Sequence, residues 1–405
     1  MRNFIPRSTS IATGWLVEGM AIHSTSTSQR SLLKIAICCG IRQFDENRLR
    51  DREWARRFPG SAWATSLFER QDSLGIEVAS GDLALAKVRS GEWRAAEVHV
   101  VQELDARHGR ELCRRGAVPA VLTIFESPLV AYRSLDRLKR HRAAFRFGVG
   151  PAGLLSDRYR RHSTQWLPMK FPCFWKDEIE PPAPWDDRGH AVLVAANKYW
   201  RERTWSRRKL NGFGNIARVL RHGVRKALSP TYRSNRGFQL HDRRLGLLEC
   251  LAQRREIDVF GLGWEDLDNL PSRWEERLRR VSGIFRGPCD DKRETVRRYR
   301  FGIAYENTAW PGYITEKIVD CFVAGIVPVY LGAPDISEHV PADSFLDAAG
   351  YASPADLADR MRSMSLAETS AMLAAGGGYL KSPAGAMHTF EGFAEWIVGL
   401  IKESA

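Results

Sequence analysis

The stretch from residue 301 to 345 constrains the fold of this 405-residue chain more than any other. Apolar residues recur at helical spacing over 314–324, which predicts an amphipathic helix. Gly325 stands where a helix stop is expected. The β-branched run 326–331 is typical of a buried parallel strand, and 301–305 is also predicted to be a strand. The sequence therefore predicts a strand–helix–strand unit of an α/β domain.

Polar side chains gather at the start of that predicted helix. Tyr313, Glu316 and Lys317 are spaced by three and four residues and so share one face of its first turn. Because a helix start favours anions, Lys317 is suited to hold a diphosphate as a point charge. Glu316 is suited to face the positive charge of an oxocarbenium-like sugar transition state. An ordinary helix surface would explain one Glu–Lys pair, but the neighbouring Asn307 and Tyr313 favour a binding site.

The composition is that of a globular and strongly basic protein. Apolar residues make up 44% of the chain, which excludes wholesale disorder, and the length suffices for two domains. The net charge of +13 indicates a polyanionic partner: nucleic acid, an anionic membrane surface or a phosphate-bearing substrate. The seven cysteines follow neither a zinc pattern nor a disulfide framework, which favours a reducing compartment.

The amino-terminal segment carries no clean targeting signal. Residues 1–30 are rich in Ser and Thr and lack a signal-peptide core, so we expect a disordered extension, with Met20 as an alternative start. No run in the chain reaches the roughly 18 apolar residues of a membrane-spanning helix.

Alternating strand and helix patterns divide the remainder into two α/β regions. Apolar runs at 32–39, 97–102 and 120–125 predict strands, with a helix at 106–115. A polar, proline-rich segment then resembles an interdomain linker. We therefore expect an N-terminal α/β domain over 31–178, a linker over 179–190, a C-terminal α/β domain over 191–376 and a C-terminal helix over 377–405.

The stretch 301–345 closely resembles the donor-sugar motif of the α1,3/α1,4-fucosyltransferase family. The matching elements are E-N at 306–307, Y-I-T-E-K at 313–317, V-P-V-Y-L-G at 327–332 and P-D-I-S-E-H-V-P-A-D-S-F at 334–345. The resemblance implies the GT-B architecture, in which two Rossmann-like α/β domains face a cleft. It implies that the domain over 31–178 binds the acceptor and that the domain over 191–376 binds the nucleotide sugar. It also implies GDP-fucose as donor, a glycan as acceptor and roles for Asn307, Tyr313, Glu316 and Lys317 at the donor.

Three further donor-side residues follow from the same resemblance. Arg244, with Arg243 as the alternative, resembles the helix-opening arginine that binds the donor diphosphate, where a guanidinium can fork onto phosphate oxygens. Gly261 would let the backbone approach the nucleotide, although a plain turn glycine explains it nearly as well. Asn197 follows the predicted strand 191–196, where the family places a polar residue.

Glu126 is the candidate general base. The sequence F-E-S-P at 125–128 directly follows a predicted strand and resembles the family's acceptor-side motif. Inverting transfer needs a base that takes the proton of the attacking hydroxyl, and a carboxylate at a strand end suits that task. The alternative is a simple turn in which Ser127 or Glu126 caps the next segment.

The Asp290–Asp291 pair and the basic segment 200–236 are two further features of the sequence. The pair Asp290–Asp291 suggests a metal site, but Lys317 and Arg244 can replace Mg²⁺ at a diphosphate, so we expect no required metal or cofactor. The segment 200–236 holds eleven Lys or Arg residues where the family has a short connection. Such a basic insertion is typical of a solvated face or of a contact with anionic lipid.

The sequence thus favours a glycosyltransferase that moves L-fucose with inversion from GDP-fucose to a hydroxyl of an N-acetylglucosamine-containing glycan, in α1,3/4 linkage. A bacterial-type enzyme of surface polysaccharide or lipopolysaccharide synthesis is expected, cytoplasmic and peripheral to the inner membrane face, with no nucleic-acid partner. The alternatives are the same fold with another nucleotide-sugar donor, and a non-catalytic homologue that binds polyanions or membranes.

Overall fold

A computed structural model describes residues 32–40, 42–104, 106–138, 144–151, 164–178, 184–197, 223–265 and 272–403. The predicted extension 1–30, residues 179–183 of the predicted linker and the greater part of the basic insertion lie outside these described residues.

The first half of the described chain builds a six-stranded sheet in which all neighbours are parallel, in the order β2-β1-β3-β4-β5-β6. The predicted strands at 32–39, 97–102 and 120–125 are confirmed as β1, β3 and β4. The strands are β1 Leu33–Cys38, β2 Ile76–Ser80, β3 Val98–Glu103, β4 Val118–Thr123, β5 Phe147–Gly150 and β6 Gln165–Pro168.

Helices alternate with these strands. The helix predicted at 106–115 is confirmed. Residues 63–74 form two short helices that are divided at Arg70, whose φ of −116° leaves the helical region. The helices are α1 Arg52–Ala55, α2 Trp63–Glu69, α3 Gln71–Leu74, α4 Gly81–Ser90, α5 Arg107–Arg114 and α6 Tyr132–Leu138.

The second half builds a five-stranded parallel sheet in the order β11-β10-β9-β7-β8. The strand–helix–strand unit predicted for 301–331 is confirmed: it forms β9, the helix that follows it and β10, in the middle of this sheet. The strands are β7 Gly189–Val194, β8 Ile257–Phe260, β9 Tyr299–Tyr305, β10 Val327–Leu331 and β11 Leu346–Asp347.

The helices of this half carry most of its remaining buried apolar residues. Residues 223–228 are also helical. The bounded helices are α7 Pro230–Asn235, α8 His241–Gln253, α9 Ser272–Arg280, α10 Lys292–Val296, α11 Glu316–Val323, α12 Pro354–Ser363, α13 Leu366–Lys381, α14 Pro383–Ala386 and α15 Phe390–Lys402.

The C-terminal helix α15 returns to the first sheet and packs on α2. Its apolar stripe is fully buried, with Phe393, Ile397 and Ile401 each 0% exposed, and the rings of Phe393 and Trp63 meet edge to face at 5.3 Å. The stripe is therefore part of the protein core. In the described part of the chain, no helix is long and apolar enough to cross a bilayer.

The predicted α/β class with two parallel sheets is confirmed by this topology. The precise domain limits stay predictions. All seven cysteines are free thiols, as their irregular spacing indicates.

Candidate functional site

Glu306 organises the loop between β9 and α11 from a position with no solvent exposure. Its carboxylate accepts hydrogen bonds from the backbone N–H of Thr315 at 2.8 Å, from the Thr315 hydroxyl at 2.8 Å and from Lys317 Nζ at 2.8 Å. A buried carboxylate needs such partners because its desolvation is costly. Glu306 therefore fixes the start of α11, and it is too deep to touch a ligand itself.

Lys317 is held between two carboxylates at the first turn of α11. Its Nζ lies 2.8 Å from Glu306 Oε2 and 3.3 Å from Glu316 Oε1, and its side chain is 16% exposed. Burial lowers the pKa of Lys317, but the attraction of Glu306 and Glu316 more than offsets this and raises it above the usual value. The ammonium is therefore fixed, charged and partly accessible, as a diphosphate contact requires.

Glu316 is the first residue of α11, two positions later than the helix start predicted at 314. The helix starts later because Thr315 is extended and its hydroxyl binds Glu306. Burial raises the pKa of Glu316, but Lys317 and Lys292 together lower it to about 2. The carboxylate thus stays ionised at neutral pH and can face a developing positive charge.

Arg244 lies in α8 and is 1% exposed. Its Nη2 donates to the carbonyl oxygens of Tyr305 at 2.7 Å and Glu306 at 3.0 Å, and to Asn307 Oδ1 at 3.3 Å. In this arrangement the guanidinium fixes the end of β9 and orients the Asn307 amide. Of the two neighbouring arginines, Arg243 and Arg244, Arg243 is the exposed one. The contact of Arg244 with a diphosphate stays a prediction.

Asn197 and Gly261 meet at the end of β7 and β8. The Asn197 backbone N–H donates to the Leu262 carbonyl at 2.9 Å and its side-chain Nδ2 donates to the Gly263 carbonyl at 3.0 Å. Gly261 has φ of 131°, and a Cβ there would lie 2.3 Å from the Ala195 carbonyl oxygen. Close packing of two loops therefore explains this glycine without a nucleotide.

The acceptor-side and donor-side motifs meet at Tyr313. Its hydroxyl accepts a hydrogen bond from the backbone N–H of Ser127, and its ring is 2% exposed. Burial, reinforced by the charges of Glu126, Glu306 and Glu316, raises the pKa of the Tyr313 phenol. The fold thus places the exposed Glu126 close enough to Tyr313, just before α11, for their charges to interact.

A second carboxylate near Glu126 was missed by the sequence reasoning. Glu103 ends β3, next to β4, and its Oε1 accepts a hydrogen bond from Ser61 at 2.8 Å. Burial raises the pKa of Glu103, and the charge of Glu126 acts in the same direction. The strand-end rule that selected Glu126 would also have selected Glu103.

Lys292 and Asp320 form another pair that the sequence reasoning did not single out. Their side chains make an ion pair between α10 and α11, and both line a cavity of about 570 Å³ together with Glu316. No sequence pattern indicated this pair, because the two residues are 28 positions apart in the chain.

Asp291, one of the two aspartates considered as metal ligands, has a structural explanation. Asp291 caps α10, accepting hydrogen bonds from the backbone N–H groups of Arg293 at 2.8 Å and Glu294 at 3.0 Å. Within the described ranges, no three His, Cys, Asp or Glu side chains are grouped so as to hold a metal ion. Independence from metal stays a prediction.

Comparisons with known proteins match the part of the chain that contains the start of α11. Residues 229–372 match the sequence model of the domain described as glycosyltransferase family 10 (fucosyltransferase) C-term. The chain is 53% identical over 57 residues to a putative fucosyltransferase-like protein of Arabidopsis thaliana, covering 14% of this chain and 11% of that protein. It is 39% identical over 70 residues to 4-galactosyl-N-acetylglucosaminide 3-alpha-L-fucosyltransferase 9 of Homo sapiens, covering 17% of this chain and 20% of that protein.

The chain therefore spans 20% or less of the length of these curated relatives. Over a longer range it is similar to the crystal structure of Anabaena Alr3699/HepE in complex with UDP-glucose, with a TM-score of 0.50 and 13% identity, covering 92% of this chain and 100% of that chain. The expected GT-B fold is confirmed, and the resemblance to the fucosyltransferase family is confirmed over residues 229–372.

Proposed function

We propose that this chain transfers L-fucose from GDP-fucose to a hydroxyl group of an N-acetylglucosamine-containing glycan, with inversion at the anomeric carbon. The single observation that carries the proposal is the start of α11, where ionised Glu316 and charged Lys317 lie side by side on a buried Glu306 anchor. That start lies within the residues that match the fucosyltransferase domain.

In the proposed reaction, Glu126 removes the proton of the acceptor hydroxyl. The resulting oxygen nucleophile attacks the anomeric carbon of fucose from the face opposite GDP, and the bond to the diphosphate oxygen breaks. Exposure of Glu126 at the end of β4, within range of Tyr313, supports its access to an acceptor. General base catalysis of this kind contributes about 10²–10⁴-fold to the rate.

The donor is proposed to lie against the start of α11. Lys317 would neutralise the departing diphosphate, aided by an arginine of α8. Glu316 would stabilise the positive charge that develops on fucose, while Tyr313 and Asn307 position the sugar. Gly261 and Asn197 would shape the nucleotide side of the site through the loop that they share. With these cations in place, the site is proposed to need no metal or other cofactor.

The acceptor and linkage are proposed from the printed name of the human relative, which is a 3-alpha-L-fucosyltransferase of an N-acetylglucosaminide. We therefore propose α1,3 or α1,4 linkage on an N-acetylglucosamine-containing surface glycan. The seven free thiols support a reducing compartment such as the cytoplasm.

Peripheral membrane contact is proposed for the described end of the basic insertion. Val224, Leu228 and Phe238 are 54%, 71% and 47% exposed, and Arg225 and Arg233 are exposed beside them. Apolar side chains among cations suit an anionic lipid surface. Co-sedimentation with phosphatidylglycerol vesicles but not with phosphatidylcholine vesicles is the expected result, and equal recovery with both would contradict it.

A transfer assay tests the proposed function. The full chain is incubated with N-acetyllactosamine and GDP-fucose, GDP-mannose or UDP-glucose in parallel, and the product is identified by mass and NMR. Fucosylated product with inverted anomeric configuration is the expected result. Transfer from another nucleotide sugar alone would instead support the alternative donor, and absence of both transfer and donor binding would support a non-catalytic protein.

A further inference from the structure

We infer that Lys292 is a positioning residue for Glu316: through its ion pair with Asp320 it completes a row of paired charges that holds the Glu316 carboxylate ionised at the donor site. This inference rests on the proposed function for its kinetic consequence, but the row of charges can be tested without any activity.

The geometry places five charged side chains in sequence. Glu306 pairs with Lys317 at 2.8 Å, and Lys317 lies 3.3 Å from Glu316. One helical turn further along α11, Asp320 pairs with Lys292 of α10. Since residues four apart lie on the same side of a helix, Glu316 and Asp320 face the same direction. Both line the cavity of about 570 Å³ into which the Lys292 side chain also extends.

Lys292 lowers the excess negative charge of the row from two to one. Three carboxylates, those of Glu306, Glu316 and Asp320, face Lys317 and Lys292, so the row carries one excess negative charge. Without Lys292, Glu316 and Asp320 would share a helix face with Lys317 as the only cation of the row. Like charges this close disfavour each other's ionised form, and the cavity side chains of this row have limited solvent contact, at 28% for Glu316 and 13% for Asp320.

Other titratable groups near Glu316 do not replace Lys292. Lys317 and Lys292 are the two cations that lower the pKa of Glu316, whereas its other neighbours across the packed elements, Asp320, Tyr313 and Cys173, are not cations. Arg293 of α10 lines the same cavity and acts on Asp320. Lys317 is already shared with fully buried Glu306, so Lys292 supplies the remaining compensation, and α10 holds it there through the cap by Asp291.

The first test is the pH dependence of unfolding for Lys292→Met, Asp320→Asn and the double variant. A depressed carboxylate pKa stabilises the fold above the unfolded pKa and loses that effect as pH falls through the folded value. We expect Lys292→Met to have a lower free energy of unfolding than wild type at pH 7. The difference between the two free energies should become smaller towards pH 4. Asp320→Asn should show no such narrowing, and the double variant should lie between them. If each single variant loses the same free energy of unfolding at every pH, the inference is wrong.

The second test is kinetic and uses the pH profile of kcat for fucosyl transfer. Because Glu126 must also be ionised, we expect the acid limb for Lys292→Met to become steeper and to begin at a higher pH, as protonation of Glu316 is added to that of Glu126, with little change in the KM for GDP-fucose. The limb for Asp320→Asn should not move up, and Lys292→Arg should restore the wild-type limb. Exposed Lys381→Met on α13 is the matched control.

The two tests separate the two possible failures. Wild-type protein that transfers fucose while the acid limbs of the single variants coincide would overturn the role of Lys292 and leave the proposed function standing. Wild-type protein that binds no nucleotide sugar would remove the proposed function, and the unfolding measurements would still decide whether Lys292 holds Glu316 ionised.

Discussion

At the scale of single residues, Glu126 is the most direct test of the chemistry. Glu126→Gln keeps the size of the side chain but cannot accept the proton of the acceptor hydroxyl. We predict that kcat falls by about 10²–10⁴-fold, while the affinity for GDP-fucose, measured by calorimetry, stays unchanged. Full transfer activity in this variant would remove Glu126 as the base.

Glu103 offers a matched comparison, because it is a second carboxylate near Glu126 but pairs with Ser61. Glu103→Gln should lower kcat far less than Glu126→Gln. An equal loss in both variants would indicate that the two carboxyl groups act together.

The anchoring role of Glu306 leads to a prediction about stability. Removing one partner of a buried ion pair leaves an uncompensated charge, so Glu306→Gln should lower the free energy of unfolding by about 3–5 kcal/mol in denaturant titrations. The double variant Glu306→Gln with Lys317→Met should recover part of that loss. If the single and double variants unfold alike, the pair does not hold the start of α11.

The sequence predicted the residues of this site better than it predicted their roles. Spacing predicted Glu316 and Lys317 in the first turn of the helix, which is confirmed, but the prediction that Tyr313 shares that helix face is wrong, because Tyr313 precedes the extended Thr315 and lies outside the helix. It could not show that Arg244 points into the protein, since its partners are carbonyl groups about sixty residues away. It also could not pair Lys292 with Asp320, because that contact depends on how two helices pack.

At the scale of elements, the end of α11 follows from its sequence. Gly325 has φ of 64°, its N–H donates to the Phe322 carbonyl, and the Ile326 N–H donates to the Cys321 carbonyl. These bonds form the Schellman motif, in which a glycine takes the left-handed conformation and the chain turns sharply. The helix stop was therefore predictable, whereas the start at Glu316 depended on the distant Glu306.

The turn at Gly261 leads to a prediction that separates two explanations. Gly261→Ala places a Cβ against the Ala195 carbonyl at a φ that side chains rarely adopt. We predict a clear drop in melting temperature, by contrast with Gly350→Ala, where a Cβ meets nothing within 4 Å. Unchanged stability together with lost GDP binding would contradict the packing explanation and support direct contact with the nucleotide.

At the scale of the whole molecule, α15 links the C-terminal end of the chain to the first sheet. The ring centroid of Phe393 lies 5.3 Å from that of Trp63 in α2. It lies 5.8 Å from the ring centroid of Phe125, the neighbour of Glu126. The sequence predicted a helix at the C-terminal end. Which surface it covers depends on the path of the chain and could not be deduced from periodicity.

Phe393→Ala should therefore destabilise the protein by about 3–5 kcal/mol, the usual cost of removing a fully buried phenylalanine side chain. Leu366→Ala, at a side chain that is 62% exposed, is the control and should change stability little. Thermal unfolding followed by calorimetry measures both. Equal melting temperatures of Phe393→Ala and wild type would contradict the assignment of α15 to the core.

The most direct measurement of the central claim is calorimetric titration of the full chain with GDP-fucose, GDP, GDP-mannose and UDP-galactose, with and without EDTA. A donor site at the start of α11 that uses lysine and arginine instead of metal predicts selective binding of GDP-fucose and GDP, unaffected by EDTA and weakened about 10–100-fold by Lys317→Ala. Tight binding that disappears with EDTA, or that is unchanged in Lys317→Ala, would contradict it.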